Sequence, residues 1–154
     1  MDAVAYIDPE IISFVNGNLI PLRLAAADPV LGPKYRVKWT PTLLLLDADG
    51  VEQYRTLGFY PPKDLIPSLL LGMGKTCFNR PDRPAACGYF QRIMNDFPKN
   101  PLAPEAVFLN GVSLYIEGHD VANLIGIYDR LTAVYPESPW LTRALPYSLL
   151  KKKQ

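Results

Sequence analysis

The sequence predicts an α/β protein with a small sheet in its first half and only helices in its second half. Two observations lead to this prediction. Residues 42–46 are a threonine followed by four leucines, a continuous apolar run bounded by turn signals, which is typical of a strand buried on both faces. The second half repeats itself with an offset of 38 residues, which indicates helical hairpins. We therefore place an α/β part at residues 1–75, an all-helical part at residues 76–150 and a tail at residues 151–154.

The composition narrows the class of protein. The chain has 154 residues, of which 49% are hydrophobic and 20% charged, a balance typical of a folded globular protein. Its net charge of +1 argues against a nucleic-acid partner, which needs a basic excess on one face. No apolar run approaches the ~20 residues needed to span a bilayer, and the start lacks the regions of a signal peptide. The sequence as given therefore predicts a cytoplasmic protein without membrane contact, unless it is a fragment of a longer protein.

Proline, glycine and aspartate divide the first half into short elements. Residues 9–16 are expected to form a helix, because Asp8 can cap it and proline suits the first helical turn. Residues 19–24 are mostly apolar and predict a strand, which Pro21 restricts to a sheet edge or an irregular pairing because proline has no N–H to donate. Residues 28–36 are expected to form a further helical turn.

The leucine-rich strand at residues 42–46 leads into Asp47-Ala48-Asp49-Gly50, a tight-turn sequence. Residues 51–57 alternate imperfectly and are expected to return antiparallel to that strand. Residues 62–71 predict a helix with one apolar face. The glycines within residues 72–76 predict the C-terminal end of this helix rather than a phosphate-binding loop, because the spacing of that loop is missing.

Three pieces of the first half resemble the C-terminal part of a thioredoxin domain: Trp39-Thr40-Pro41-Thr42, the turn at residues 47–50, and Gly58-Phe59-Tyr60-Pro61-Pro62. The order of the predicted elements matches as well. The resemblance implies that the Thr40–Pro41 peptide bond is cis. It also implies that Trp39, Thr40 and Pro41 lie at a groove where an extended peptide binds by strand addition.

The thioredoxin family also carries two features that this chain lacks. In that family a central strand, which would lie between residues 19–24 and 42–46, leads into a Cys-x-x-Cys pair, and the sequence contains no such pair. Without the central strand, two sheet edges would face a gap of roughly 10 Å. Three repairs are open: direct pairing of the two strands, a second copy of the chain, or an upstream segment of a longer protein. For the origin of the sequence we favour a truncated or degenerate member of a thiol-disulfide oxidoreductase family.

The second half is a repeat. Its defining pairs, 38 residues apart, are Phe90-Gln91-Arg92-Ile93 with Tyr128-Asp129-Arg130-Leu131, Phe97-Pro98 with Tyr135-Pro136, and Ala106 with Ala144. The expected helices are residues 84–97, 104–117, 120–135 and 139–149. The pattern looks like tetratricopeptide-type repeats with a longer period and about one and a half units. Two alternatives remain open for it: a peptide-binding surface, and a plain helical extension that completes one core.

The two cysteines, Cys77 and Cys87, are separated by nine residues and do not lie where a helix N-terminus would lower a thiol pKa. They either close a disulfide over the loop between them or remain two free thiols, which is the expected state. His119, the only histidine, falls in a helix-to-helix turn without partners for a zinc site or a catalytic triad. We therefore expect no catalytic residue, no metal and no cofactor in this chain.

Two functions are consistent with these features. The first is the inactive remainder of a thiol-disulfide oxidoreductase, without redox-active cysteines in this chain. The second is a non-catalytic interaction module that binds a protein or peptide partner through the groove at Trp39, Thr40 and Pro41 or through the helical repeats. A homodimer formed through the incomplete sheet is also expected, because exposed sheet edges promote association.

Overall fold

The computed structural model describes residues 5–25 and 28–153, and the chain divides between Gly72 and Met73 into two compact units. The elements in order are α1 (Pro9–Asn18), α2 (Leu31–Lys34), β1 (Thr42–Leu46), β2 (Glu52–Leu57), α3 (Pro62–Asn79), α4 (Arg83–Asp96), α5 (Ala103–Gly118), α6 (Val121–Val134), α7 (Pro139–Ser148) and a 3₁₀-helix (Leu149–Lys153). Across the described residues, seven α-helices and two strands confirm a mixed α/β class, dominated by helices. The boundary predicted at residue 75 falls inside α3.

The side chain of Asp8 caps α1, as the sequence predicts. Asp8 Oδ1 accepts hydrogen bonds from the backbone N–H groups two and three residues later, at 2.9 and 3.2 Å. Asp28 Oδ1 does the same at 3.0 and 2.6 Å. α1 buries Ile11 and Phe14. α2 is a single turn, and Arg36 after it adopts a left-handed backbone conformation with a φ of 51°.

The predicted strand at residues 19–24 is wrong. Residues 20–25 belong to no helix or strand, and all of them are exposed. Among the described residues the sheet has two strands, and neither of them pairs with this segment. A stretch with β propensity becomes a strand only beside a hydrogen-bonding neighbour, and neither described strand lies beside this segment. Direct pairing of residues 19–24 with β1 is therefore not how this structure repairs the sheet.

β1 and β2 form the predicted antiparallel hairpin. Thr42 lies opposite Leu57 and Leu45 lies opposite Tyr54, with a register shift between Leu45 and Leu46. Asp47 orders the turn, since its Oδ1 accepts the N–H groups two and four residues later at 3.0 and 2.9 Å.

The prediction that β1 is buried on both faces is wrong. Its first four residues are half-buried, and Leu46 is 41% exposed. A Cβ added at Gly72 of α3 would lie 2.3 Å from Leu45 Cδ1 and 2.5 Å from Tyr54 Cδ1, so α3 packs directly on one face of the hairpin. An apolar run of this kind predicts a fully buried strand, but its sequence carries no information on how many strands the sheet has.

α3 runs to Asn79, eight residues beyond its predicted end, so the assignment of residues 72–76 to a helix terminus is wrong. Both glycines are needed for close packing rather than for ending the helix. The absence of a Cβ at Gly72 leaves room for the side chains of Leu45 and Tyr54, and a Cβ at Gly74 would lie 2.4 Å from the Phe90 ring. Tertiary packing has therefore outweighed the helix-ending tendency of glycine.

The second unit contains two helical hairpins, α4–α5 and α6–α7, rather than the predicted one and a half, and all four helices lie within about two residues of their predicted bounds. The offset of 38 residues recurs in the backbone. Phe97 and Tyr135 end α4 and α6 with nearly equal φ and ψ, −129° and 47° against −134° and 54°. Ala106 and Ala144 are both fully buried. The Tyr135 hydroxyl donates to the Pro98 carbonyl at 2.8 Å and so links the two repeats.

Residues 151–153 of the predicted tail belong to a short helix in the structure. Residues Leu149–Lys153 form a 3₁₀-helix, and the Lys151 ammonium forms an ion pair with the Asp129 carboxylate of α6. Gln154 lies outside the described residues.

Candidate functional site

The predicted groove residues Trp39, Thr40 and Pro41 lie directly before β1. The Thr40–Pro41 peptide bond is cis, so that prediction is confirmed. The Thr42 hydroxyl donates to the Trp39 carbonyl, and Gly58 N–H donates to the Pro41 carbonyl at 2.9 Å. These bonds fix the segment against the start of β1 and the end of β2. The Trp39 side chain remains 67% exposed.

Two further apolar side chains belong to this site and were missed in the sequence. Leu57 lies opposite Thr42 in the hairpin, and Phe59 follows the glycine that bonds to Pro41. Phe59 and Leu57 are each 55% exposed. With Trp39 and Pro41 they form what we call the apolar end of the hairpin. Phe59 was predicted as part of the motif at residues 58–62 but not as part of the groove, although its aromatic side chain was the available signal.

The outer edge of β1 adjoins this apolar end. The Pro41 carbonyl accepts from the N–H of Gly58, which directly follows β2. Because backbone groups alternate in direction along a strand, the N–H and C=O groups of Leu43 and Leu45 also point towards β2. The N–H and C=O groups of Thr42, Leu44 and Leu46 therefore point away from β2. No other strand among residues 5–25 and 28–153 pairs on that side. The site thus combines three residues with outward backbone donors and acceptors and an exposed apolar cluster beside them.

A set of polar contacts supports the face of the hairpin that lies opposite α3. The Arg55 guanidinium donates to the Tyr35 carbonyl, and it forms a bidentate pair with the Glu52 carboxylate at 2.8 and 2.6 Å. The hydrogen bond from Arg55 holds the pKa of the Glu52 carboxyl below its usual range. The Tyr35 hydroxyl donates to the Gly50 carbonyl at 2.9 Å. These contacts tie the segment after α2 to β2, which positions the chain that leads into Trp39.

The two cysteines lie in the second unit, and neither has a lowered thiol pKa. Both are free thiols in the structure: Cys77 lies near the end of α3, and Cys87 is buried one turn into α4. Burial raises the pKa of the Cys77 thiol, and the nearby Asp82 carboxylate raises it further. Burial also raises the pKa of the Cys87 thiol, and a hydrogen bond with the Ser113 hydroxyl opposes that shift only in part. A raised pKa disfavours the thiolate, which is the nucleophilic form.

The remaining candidates point to structure rather than chemistry. His119 ends α5 with a φ of 52° and lies in the predicted turn between helices. Among the described residues, no group of three histidine, cysteine, aspartate or glutamate side chains is arranged to hold a metal ion. Nor does any helix in the described part of the chain have the length and apolar character to cross a membrane.

Comparison with protein-family models, with curated proteins and with solved structures finds no match to this chain.

Proposed function

We propose that this chain is a thioredoxin-like interaction module without redox chemistry of its own, and that it binds an extended polypeptide along the outer edge of β1. One observation carries the proposal: the outward backbone groups of Thr42, Leu44 and Leu46 adjoin the exposed apolar end formed around Trp39 and Phe59. Strand addition needs this combination, since main-chain hydrogen bonds hold the peptide and apolar contacts select its side chains.

The magnitudes favour a weak, reversible complex. A net hydrogen bond contributes about 0.5–1.5 kcal/mol. Burial of the exposed parts of Trp39 and Phe59 adds roughly 1–2 kcal/mol each, because full burial of a large apolar side chain is worth about 1.5–3 kcal/mol. Association costs on the order of 4–15 kcal/mol in lost freedom. We therefore expect a dissociation constant in the micromolar range or weaker, which corresponds to a binding free energy of about −8 kcal/mol or less favourable.

The thiols support the non-redox part of the proposal. Cys77 and Cys87 have raised pKa values, so neither is activated as a nucleophile. A thiol-disulfide oxidoreductase ancestry is compatible with this function, since strand addition beside the proline does not require the cysteine pair. An insulin reduction assay tests this part: the chain should give no turnover, and measurable reduction would contradict it. A cytoplasmic location stays a prediction from the sequence.

The binding itself can be tested with reduced, carboxymethylated insulin B chain, which supplies an extended apolar polypeptide without reactive thiols. In a Trp140→Phe background Trp39 is the only tryptophan, so its fluorescence reports binding directly. We expect saturable binding that Thr40→Arg and Leu44→Pro each weaken at least tenfold. Leu44→Pro removes an outward N–H and leaves the bonds to β2 intact, so the hairpin should persist.

Leu149→Ser is the matched surface control, because Leu149 is about as exposed as Phe59 but lies in the second unit. Phe59→Ser should weaken binding, and Leu149→Ser should leave it unchanged. Equal binding by the parent chain, Thr40→Arg and Leu44→Pro would remove the β1 edge as the site.

A further inference from the structure

Three large apolar side chains at alternate positions of residues 20–24 are exposed, and these residues belong to neither strand of the described sheet. Ile20 is 99% exposed, Leu22 is 75% exposed, and Leu24 is also exposed. The backbone enters this segment in an extended conformation, since Leu19 at the end of α1 has a φ of −137° and a ψ of 161°. Three large apolar side chains this exposed within five residues are typical of an interaction surface.

We propose that residues 20–24 of one copy pair with the outer edge of β1 of a second copy, and that the two copies exchange these segments around a twofold axis; this rests on the proposed function, because the same edge is used. Each copy contains one exposed segment at residues 20–24 and one outer edge of β1 without a neighbouring strand among the described residues, so a reciprocal exchange occupies both. The contact is isologous and closes at two copies, which leaves neither segment nor edge available for open-ended growth.

Proline fixes which side of the segment faces the edge. Backbone N–H and C=O groups alternate in direction along a strand, so Ile20, Leu22 and Leu24 bond to one side and Pro21 belongs to the other side. Pro21 has no N–H, and a proline in a strand places its position on the unpaired side. The residues that bond to the second copy are therefore Ile20, Leu22 and Leu24.

The same alternation defines the partner groups on β1 and hence the register. The outward groups of β1 belong to Thr42, Leu44 and Leu46. An antiparallel pairing that uses all of them places Leu22 opposite Leu44 as a hydrogen-bonded pair, with the Cα atoms about 5.5 Å apart.

The edge itself favours a strand partner. Natural edge strands commonly carry lysine, proline or inward-pointing charges that prevent pairing. Thr42, Leu44 and Leu46 are uncharged, and none of them is proline. A second copy is the occupant because this chain supplies a complementary strand in equal number with the edge. Its own segment is not paired with its own β1 in the structure.

The first test is cross-linking of the full chain in a Cys77→Ser, Cys87→Ala background. In this background Leu22→Cys with Leu44→Cys should form an interchain disulfide on mild oxidation, because the predicted Cα separation suits a disulfide. Leu22→Cys with Leu43→Cys is the matched control, since residue 43 has its side chain on the other face of β1. Efficient cross-linking of the 22–44 pair alone supports the exchange. An intrachain disulfide, or equal cross-linking of both pairs, overturns it.

The second test uses sedimentation equilibrium on the chain without engineered cysteines. Leu22→Pro removes a bonding N–H and should raise the dimer dissociation constant at least tenfold. The N–H of Ala25, like the position of Pro21, lies on the side away from the edge, so Ala25→Pro should leave that constant unchanged. Both positions are exposed, so each variant should retain the helical circular dichroism of the parent chain. A chain that is monomeric up to the highest soluble concentration, or equal loss of dimer in both variants, overturns the proposal.

The outcomes separate this proposal from the proposed function. A chain that stays monomeric but binds carboxymethylated insulin B chain at β1 disproves the exchange and retains the peptide-binding role. A chain that dimerises through residues 20–24 but binds no insulin B chain even below the dimer dissociation constant, where the edge is vacant, retains the exchange and disproves that role. If both hold, the B chain should dissociate the dimer, because the two ligands compete for one edge.

Discussion

Substitution of Gly72 by alanine tests how α3 supports the hairpin that carries the candidate site. The new Cβ would lie 2.3 Å from Leu45 Cδ1 and 2.5 Å from Tyr54 Cδ1, closer than real Cβ contacts allow. Overpacking costs about 1–3 kcal/mol, and contacts this short place Gly72→Ala in the upper part of that range, at about 2–3 kcal/mol. Replacing a helical glycine with alanine returns about 1 kcal/mol of helix propensity. We therefore expect Gly72→Ala to lower the free energy of unfolding by about 1–2 kcal/mol.

The assay is urea unfolding followed by circular dichroism. With a slope of about 1–3 kcal/mol per molar urea, the expected loss moves the midpoint down by roughly 0.5–1 M. Gly88→Ala is the matched control, because Gly88 is an exposed residue of α4 with no atom within 4 Å of its added Cβ. It should gain about 0.5–1 kcal/mol from propensity alone. A Gly72→Ala midpoint at or above that of the parent chain would refute the close packing of α3 on the hairpin.

A double-mutant cycle then assigns the loss to the contact itself. In a Leu45→Ala background one of the two clashing side chains is removed, so Gly72→Ala should cost less than it does in the parent chain. A coupling energy of at least ~0.5 kcal/mol is expected for residues in direct contact. Strict additivity would show that the loss arises elsewhere in α3.

The other predictions concern the second unit. Gly111→Ala should destabilise the chain by about 2 kcal/mol in urea unfolding, because its Cβ would lie 2.2 Å from Cγ1 of the buried Ile127. Gly126→Ala, with no atom within 4 Å, should be neutral or stabilising, and the reverse order would contradict the packing of α5 on α6. Alkylation of Cys77 and Cys87 by iodoacetamide should be slower than that of free cysteine at pH 7, since their raised pKa values keep them protonated. The rate should rise about tenfold per pH unit up to pH 9, and fast alkylation at neutral pH would contradict the assignment of inactive thiols.

Sequence reasoning succeeded where the signal is local. The turn after Asp47, the cap at Asp8 and the bounds of the repeat helices depend on residues a few positions apart. The 38-residue offset also survives in the structure, because equal stop and cap sequences produce equal backbone geometry at Phe97 and Tyr135. These elements would fold similarly in many tertiary settings, so a single sequence is enough to place them.

Sequence reasoning failed where the outcome depends on a distant neighbour. Residues 19–24 have the composition of a strand, but neither strand in the described part of the chain pairs with them. Residues 42–46 were predicted to be buried on both faces, yet they are half-buried and pair with a described strand on one side only. The glycines at 72 and 74 were predicted to end the helix, but in the structure they lie inside α3 and allow neighbouring side chains to pack closely against it. Phe59 entered the candidate site only through the register of the hairpin, which places it beside Pro41. None of these contacts is encoded in the order of nearby residues.

Amide hydrogen exchange along β1 tests the central claim most directly, at a concentration where the chain is monomeric. In the free chain the amides of Leu43 and Leu45, which bond to β2, should exchange slowly, and those of Leu44 and Leu46 should exchange fast. Saturating carboxymethylated insulin B chain should slow Leu44 and Leu46 at least tenfold and leave the other two nearly unchanged. Unchanged exchange at Leu44 and Leu46 in the presence of bound B chain would contradict strand addition at this edge.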